Sequence, residues 1–258
     1  MKNKLMLGLW RYIINVPPFL WQKQIAQGKR KFEKEHGSLT EEKRLIHHFV
    51  VRELPSNGKP LSPELISDRL NFPADLVKDA LDYLEKRMTF LYRNEEGDVV
   101  WAYPVTVDKT PHSISFDTGE NLYAAWAADA FATPFVQGKL RNTYLNVQVQ
   151  TECAHCSRPM EMGIDSDLNY KTNDERCNPI IFVPDIDLLN FKEDSIIDSF
   201  WTECIFFWSE EHAREYRKKS HRIRGAYMNA EQMVTVTRII QSAIFGFKDE
   251  NQKVQPNA

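Results

Sequence analysis

Cysteine and glycine are scarce, at 4 and 10 of 258 residues. With 13 prolines, the loop-forming residues stay far below the level of a collagen-like or low-complexity chain. The four cysteines are Cys153, Cys156, Cys177 and Cys204, in a chain without a convincing export signal, so a disulfide framework is not expected. No window approaches the roughly 18 uninterrupted apolar residues of a membrane span. Neither sign of charge dominates. A net charge of −3 and a mean hydropathy of −0.48 describe a water-soluble chain without the basic field that nucleic acid requires. Also absent are a Gly-rich phosphate loop, GxSxG, HExxH and a Walker lysine. Chemistry must therefore come from thiols and isolated polar groups.

The first residues carry Lys2 and Lys4 before an apolar run, but Arg11 interrupts it and no small-residue cleavage site precedes Pro17-Pro18. This segment is expected to be an amphipathic helix that docks on the protein or on a partner, in a cytoplasmic protein. Residues 1–55 as a whole read as a helical, basic extension, with Leu45, Ile46, Phe49 and Val50 at helical spacing. His47 and His48 on it read as surface residues.

Gly58 and Pro60 open the next unit, residues 56–110. Ser62 is a natural N-cap with Pro63 behind it. A turn at Asn71-Phe72-Pro73 leads to a second helix with Leu76, Val77, Ala80, Leu81 and Leu84 inward. A hairpin spanning Phe90–Arg93 and Val99–Val105 follows. That order is winged-helix-like. The second helix, however, presents Asp75, Asp79, Asp82 and Glu85 against Lys78 and Lys86, the wrong sign for phosphate, so nucleic acid is not an expected partner.

Residues 111–248 change character, and 249–258 read as a flexible tail. Leu122–Phe135 is apolar with one charge and reads as a helix. Thr143–Thr151 alternates as a strand, and Ile180–Val183 and Cys204–Trp208 are short apolar strands. Ser209–Lys219 carries acids first and bases last, as a helix dipole favours. Asn229 caps a final helix to Phe245. Strands and helices mix without regular βαβ alternation, so the fold class is α+β.

Two places hold chemistry. Cys153 and Cys156 form a CxxC after a strand, with Cys177 as a third thiol, a set suited to zinc or another thiophilic metal. His155, Cys204 or water would complete a tetrahedron. The same thiols also read as packed small hydrophobes or as a redox pair. Asp129 is the lone charge in Ala124–Phe131. It is either buried and functional or an acid at an exposed helix edge. His112 reads as a satisfied turn residue.

Glu95–Val100, Thr110-Pro111-His112, Leu122–Asp129 with Pro134, and Phe200–Ser209 with the helix to Tyr216 stand in the order and spacing of one family. Over about residues 60–220 the chain resembles alkylmercury lyase. The resemblance implies a winged-helix-like module followed by a mixed α/β catalytic part. It also implies protonolysis of carbon–mercury bonds, in which two cysteine thiolates hold the metal and an aspartate helps protonate the leaving carbon. Asp129 matches that aspartate. Trp126 and Trp201 stand where the two catalytic cysteines are expected, and an indole cannot replace a thiolate. Cys153 falls near a non-catalytic cysteine of the family. The chain is thus expected to be a lyase-like protein without ordinary organomercurial cleavage, needing no cofactor. Its pocket would suit another small substrate, aromatic or cationic, beside Asp129, since indoles offer stacking and cation–π faces. The alternative is a non-enzymatic metal-binding protein using Cys153, Cys156 and Cys177. A third reading moves the lyase site to whichever of the four thiols approaches Asp129.

Overall fold

The computed structural model describes residues 5–88, 91–185, 204–219 and 224–248. Trp201 and the 249–258 tail lie outside them. The fold is α+β, with two antiparallel sheets and helices packed around and between them. None of the described helices is long and apolar enough to cross a membrane.

The chain opens on a hairpin, β1 (Leu5–Leu9) and β2 (Tyr12–Val16), where a helix was expected. The reversal falls at Trp10, whose φ of 52° is left-handed. β1 reads as a continuous apolar run because it lies inside a sheet, between β2 and a strand near the other end of the chain. Helix α1 (Pro18–Gly37) follows, then α2 (Glu41–Asn57), α3 (Pro63–Leu70) and α4 (Ala74–Tyr83). Thr40 and Ser62 cap α2 and α3 by accepting from the amides of Lys43 and Leu65. Strands β3 (Leu91–Arg93) and β4 (Val99–Ala102) pair next, and Leu61 bridges to Val99. Arg93 ties this hairpin to α4 and the turn after it, 2.6 Å from Asp82 and 2.5 Å from Glu85.

The larger sheet continues through β5 (Val105–Thr106), β6 (Ser113–Phe116), β7 (Asn121–Ala124), β8 (Asn146–Glu152), β9 (Pro159–Asp165) and β10 (Tyr170–Thr172). Its spatial order is β10-β9-β8-β6-β7-β5-β4-β3. β8 and β9 alternate buried and exposed residues, and their register sets Val147 opposite Ile164 and Val149 opposite Met162 on the core face. The smaller sheet takes β11 (Ile180–Pro184), β12 (Ile205–Phe207) and β13 (Gly225–Asn229) in the order β12-β11-β13-β1-β2.

Helix α5 (Ala127–Arg141) packs against both sheets and α2. The helix expected from Leu122 thus begins five residues later, after β7, because Ala124 pairs with Val105 and Trp126 is extended at φ −133°, ψ 164°. Gly138 lets α5 approach the turn at Ser166, since a Cβ there would lie 2.5 Å from the Ser166 Cβ. Helix α6 (Glu210–Lys219) follows β12. Helix α7 (Ala230–Phe245) starts in a full capping box of Asn229 and Gln232. Two apolar clusters result, one between the sheets and one around α2–α4 and the hairpin, and Trp126 touches both.

His47 and His48 correct the surface expectation. His47 is buried, stacked on Phe245 at 5.1 Å, and burial lowers its pKa to about 3. His48 is half-buried, and burial followed by the nearby His36 lowers its pKa to about 4. The helix that carries them packs against α4 and α5, and Phe245 at the end of α7 covers His47.

Candidate functional site

A cavity of about 630 Å³ opens between the smaller sheet, α1, α7 and the start of α5. Its walls include Leu5 and Leu7 of β1, Trp21 and Ile25 of α1, Met228 of β13, and Met233 and Gln241 of α7. Trp126, Asp129 and Cys204 line it, with Tyr103 beside them. The N-terminal hairpin and α1 are therefore part of the pocket wall.

Asp129 is fully buried in the first turn of α5, which excludes the exposed-edge reading. A helix N-terminus favours an anion. Here burial outweighs that and raises the carboxyl well above its usual range, which favours the protonated form. Neither oxygen has a hydrogen bond of ordinary geometry. The Trp126 backbone and the Tyr103 hydroxyl act only weakly against burial. Gln241 donates to the Tyr103 hydroxyl, and its own buried carbonyl is unsatisfied. Acid, phenol and amide thus meet in one apolar wall.

Cys204 is buried and faces the same space. Burial pushes its thiol up to about 12, while the Ala128 and Ala127 amides at the helix start pull the other way and Asp129 adds to the rise. The Ala127 amide also donates to the Cys204 carbonyl at 3.3 Å. His112 holds this corner in place. Its Nδ1 lies 2.8 Å from the Thr151 hydroxyl, its ring also bonds the Cys204 backbone, and burial lowers its pKa to about 4. It is a satisfied structural residue, as expected. Sequence could not tell which way Cys204 faces, because one residue of strand register reverses it.

Trp126 sits with its ring 5.2 Å from Trp101 and 6.1 Å from Tyr103. Its indole occupies the cavity wall three residues before Asp129.

The other thiols gather elsewhere. Cys153 directly follows β8 and Cys156 lies in the turn before β9. Their sulfurs are 3.3 and 3.5 Å from Nδ1 of His212, in the first turn of α6. The three ligand atoms lie within 4.8 Å of one another. Burial raises the Cys153 thiol, against amide hydrogen bonds led by that of Trp208 at 3.3 Å. Cys177, expected as the third ligand, is not in this group. Its thiol lies 3.8 Å from the Trp208 carbonyl, and burial raises it to about 11. His212 was missed because it lies 56 residues beyond Cys156. The one available signal was a histidine at the start of a helix that follows a strand.

Comparisons agree with this architecture. The sequence profile of the alkylmercury lyase (MerB) family matches residues 105–241. A solved structure described as the mercury-bound form of MerB2 superposes with a TM-score of 0.64 at 18% identity, covering 85% of this chain and 99% of that one. No curated protein sequence matches the chain.

Proposed function

The chain belongs to the alkylmercury lyase family, and we propose that its cavity delivers a proton to a small, aromatic-sized substrate without ordinary organomercurial cleavage. The reading rests on one observation. Asp129, which the resemblance matches to the family's proton-donating aspartate, is a fully buried acid on the cavity wall, beside Trp126, which the resemblance matches to the first family thiol. The second, Trp201, lies outside the described residues.

In this reading Asp129 is the general acid. It gives its proton to a substrate atom seated in the cavity, and the carboxylate left behind is stabilised by the Tyr103 hydroxyl, the Trp126 backbone and the start of α5. A cavity of about 630 Å³ lies within the range of small-molecule sites. Trp126 and Trp21 supply aromatic faces, and Gln241 has a carbonyl free to accept from a substrate donor. Cys204 is the one thiol beside the acid, so a soft electrophile would find one sulfur there and not two. With a single thiolate the carbon–mercury bond lacks the second donor that the family reaction uses.

The test is hydrocarbon release from phenylmercuric acetate with excess small thiol. The wild-type protein is expected to give no sustained turnover. Multiple turnovers of benzene, abolished by Asp129→Asn, would overturn the reading.

The alternative role, holding a thiophilic metal through Cys153, Cys156 and Cys177, draws support for its first two thiols only.

A further inference from the structure

The β8–β9 turn and the first turn of α6 carry donors that the pocket does not use. Cys153, Cys156 and His212 converge from two chain segments, and the turn between the cysteines is tightly specified. The Cys156 and Ser157 amides donate to the Cys153 carbonyl at 3.2 and 2.8 Å, and the Cys153 amide donates to the Arg158 carbonyl at 2.9 Å. Ser157 is left-handed at φ 56°. The Ala154 amide donates to the Phe206 carbonyl at 2.9 Å, fixing the turn to β12.

The distances match one coordination geometry. A tetrahedral zinc with Zn–S of about 2.3 Å and Zn–N of about 2.0 Å sets sulfur and nitrogen about 3.5 Å apart. The two observed separations are 3.3 and 3.5 Å. The Trp208 amide aims at the Cys153 sulfur from outside the cluster, a hydrogen bond that orients a metal-bound thiolate. Two thiolates and a neutral imidazole cancel the charge of a divalent ion, so the site can sit against the buried Cys153 without a counter-ion. Sulfur donors select zinc over magnesium or calcium.

We propose that Cys153, Cys156 and His212 bind one zinc ion through two sulfurs and Nδ1, which staples the β8–β9 turn to α6. Binding displaces the two thiol protons to solvent. Cys156 is exposed, so the fourth position is open to water, and the His155 ring lies 5.1 Å from that of His212. The ion would fix α6, and through it β12, which Cys204 directly precedes. The inference does not depend on the reading of the cavity.

The experiment is a Co²⁺ titration of the full-length, reduced, chelator-stripped protein, followed by Zn²⁺ displacement. Saturation is expected at one ion per chain, with a thiolate-to-cobalt charge-transfer band and the intense visible bands of tetrahedral cobalt. Cys156→Ser and His212→Ala should each weaken binding by about a hundredfold or more, and Cys177→Ser should leave it unchanged. Both weakened variants change accessible side chains, and a circular dichroism melt of each metal-free protein checks that it folds. The proposal is overturned if the wild type shows no charge-transfer band. It is equally overturned if His212→Ala binds as tightly as wild type, or if Cys177→Ser binds as weakly as Cys156→Ser.

Discussion

Asp129 and Cys204 line one cavity beside the α5 N-terminus, and burial raises the pKa of both. One is on the helix and the other at the head of β12, joined by the Ala127 amide.

Asp129 sets a pH dependence of stability. Its folded pKa lies above its unfolded value of about 3.9, so the folded chain keeps a proton that the unfolded chain has lost. That contribution is fully present below pH 4 and falls as pH rises toward the folded pKa, by up to about 1.4 kcal/mol per unit. Asp129→Asn is expected to be more stable than wild type at pH 8, with the difference shrinking toward pH 4. Urea unfolding across that range checks it, and parallel pH profiles would contradict it.

His47 acts in the opposite direction. Its folded pKa of about 3 lies below the ordinary 6.5, so the unfolded chain binds the extra proton. The stability it contributes is present above pH 6.5 and is lost as pH falls toward 3. Neither ring nitrogen has a partner, so His47→Leu should fold and remove about 2 kcal/mol of destabilisation at pH 5. The measurement is the difference between the unfolding free energies of the two proteins at pH 5 and pH 8.

If Trp126 and Trp201 occupy the thiol positions of a retained pocket, restoring both cysteines should restore the chemistry. The variant Trp126→Cys with Trp201→Cys is expected to release benzene from phenylmercuric acetate, and adding Asp129→Asn should stop it. Removing the half-buried Trp126 indole should also lower stability by about 2–3 kcal/mol, because its contacts with Trp101 and Tyr103 go. Headspace hydrocarbon analysis reads the first effect and a thermal melt the second.

Asn229→Ala removes the capping box of α7, which carries Met233 and Gln241 into the cavity. A loss of about 1 kcal/mol is expected, measured by denaturant midpoint at constant slope.

Much of this architecture is legible in local sequence signals. Ser62 and Asn229 are caps, Val147 and Val149 alternate on the core face, and Asp129 stands alone among small apolar residues. What stayed hidden depends on distant partners. Leu5–Leu9 reads as a helix until β13 arrives beside it, since the pairing of Met6 with Tyr227 has no local signature. Ala124 belongs to a strand because Val105 pairs with it, although alanine favours helix. His47 looks like a surface residue until α7 brings Phe245 onto its ring. His212 and the CxxC meet only because Phe206 draws Ala154 to β12.

The most direct measurement is the protonation state of Asp129 at neutral pH, read as the infrared difference between wild type and Asp129→Asn. A carboxylic acid C=O band in the wild type that the variant lacks is the expected result. A carboxylate band in its place would contradict the proton-delivering pocket.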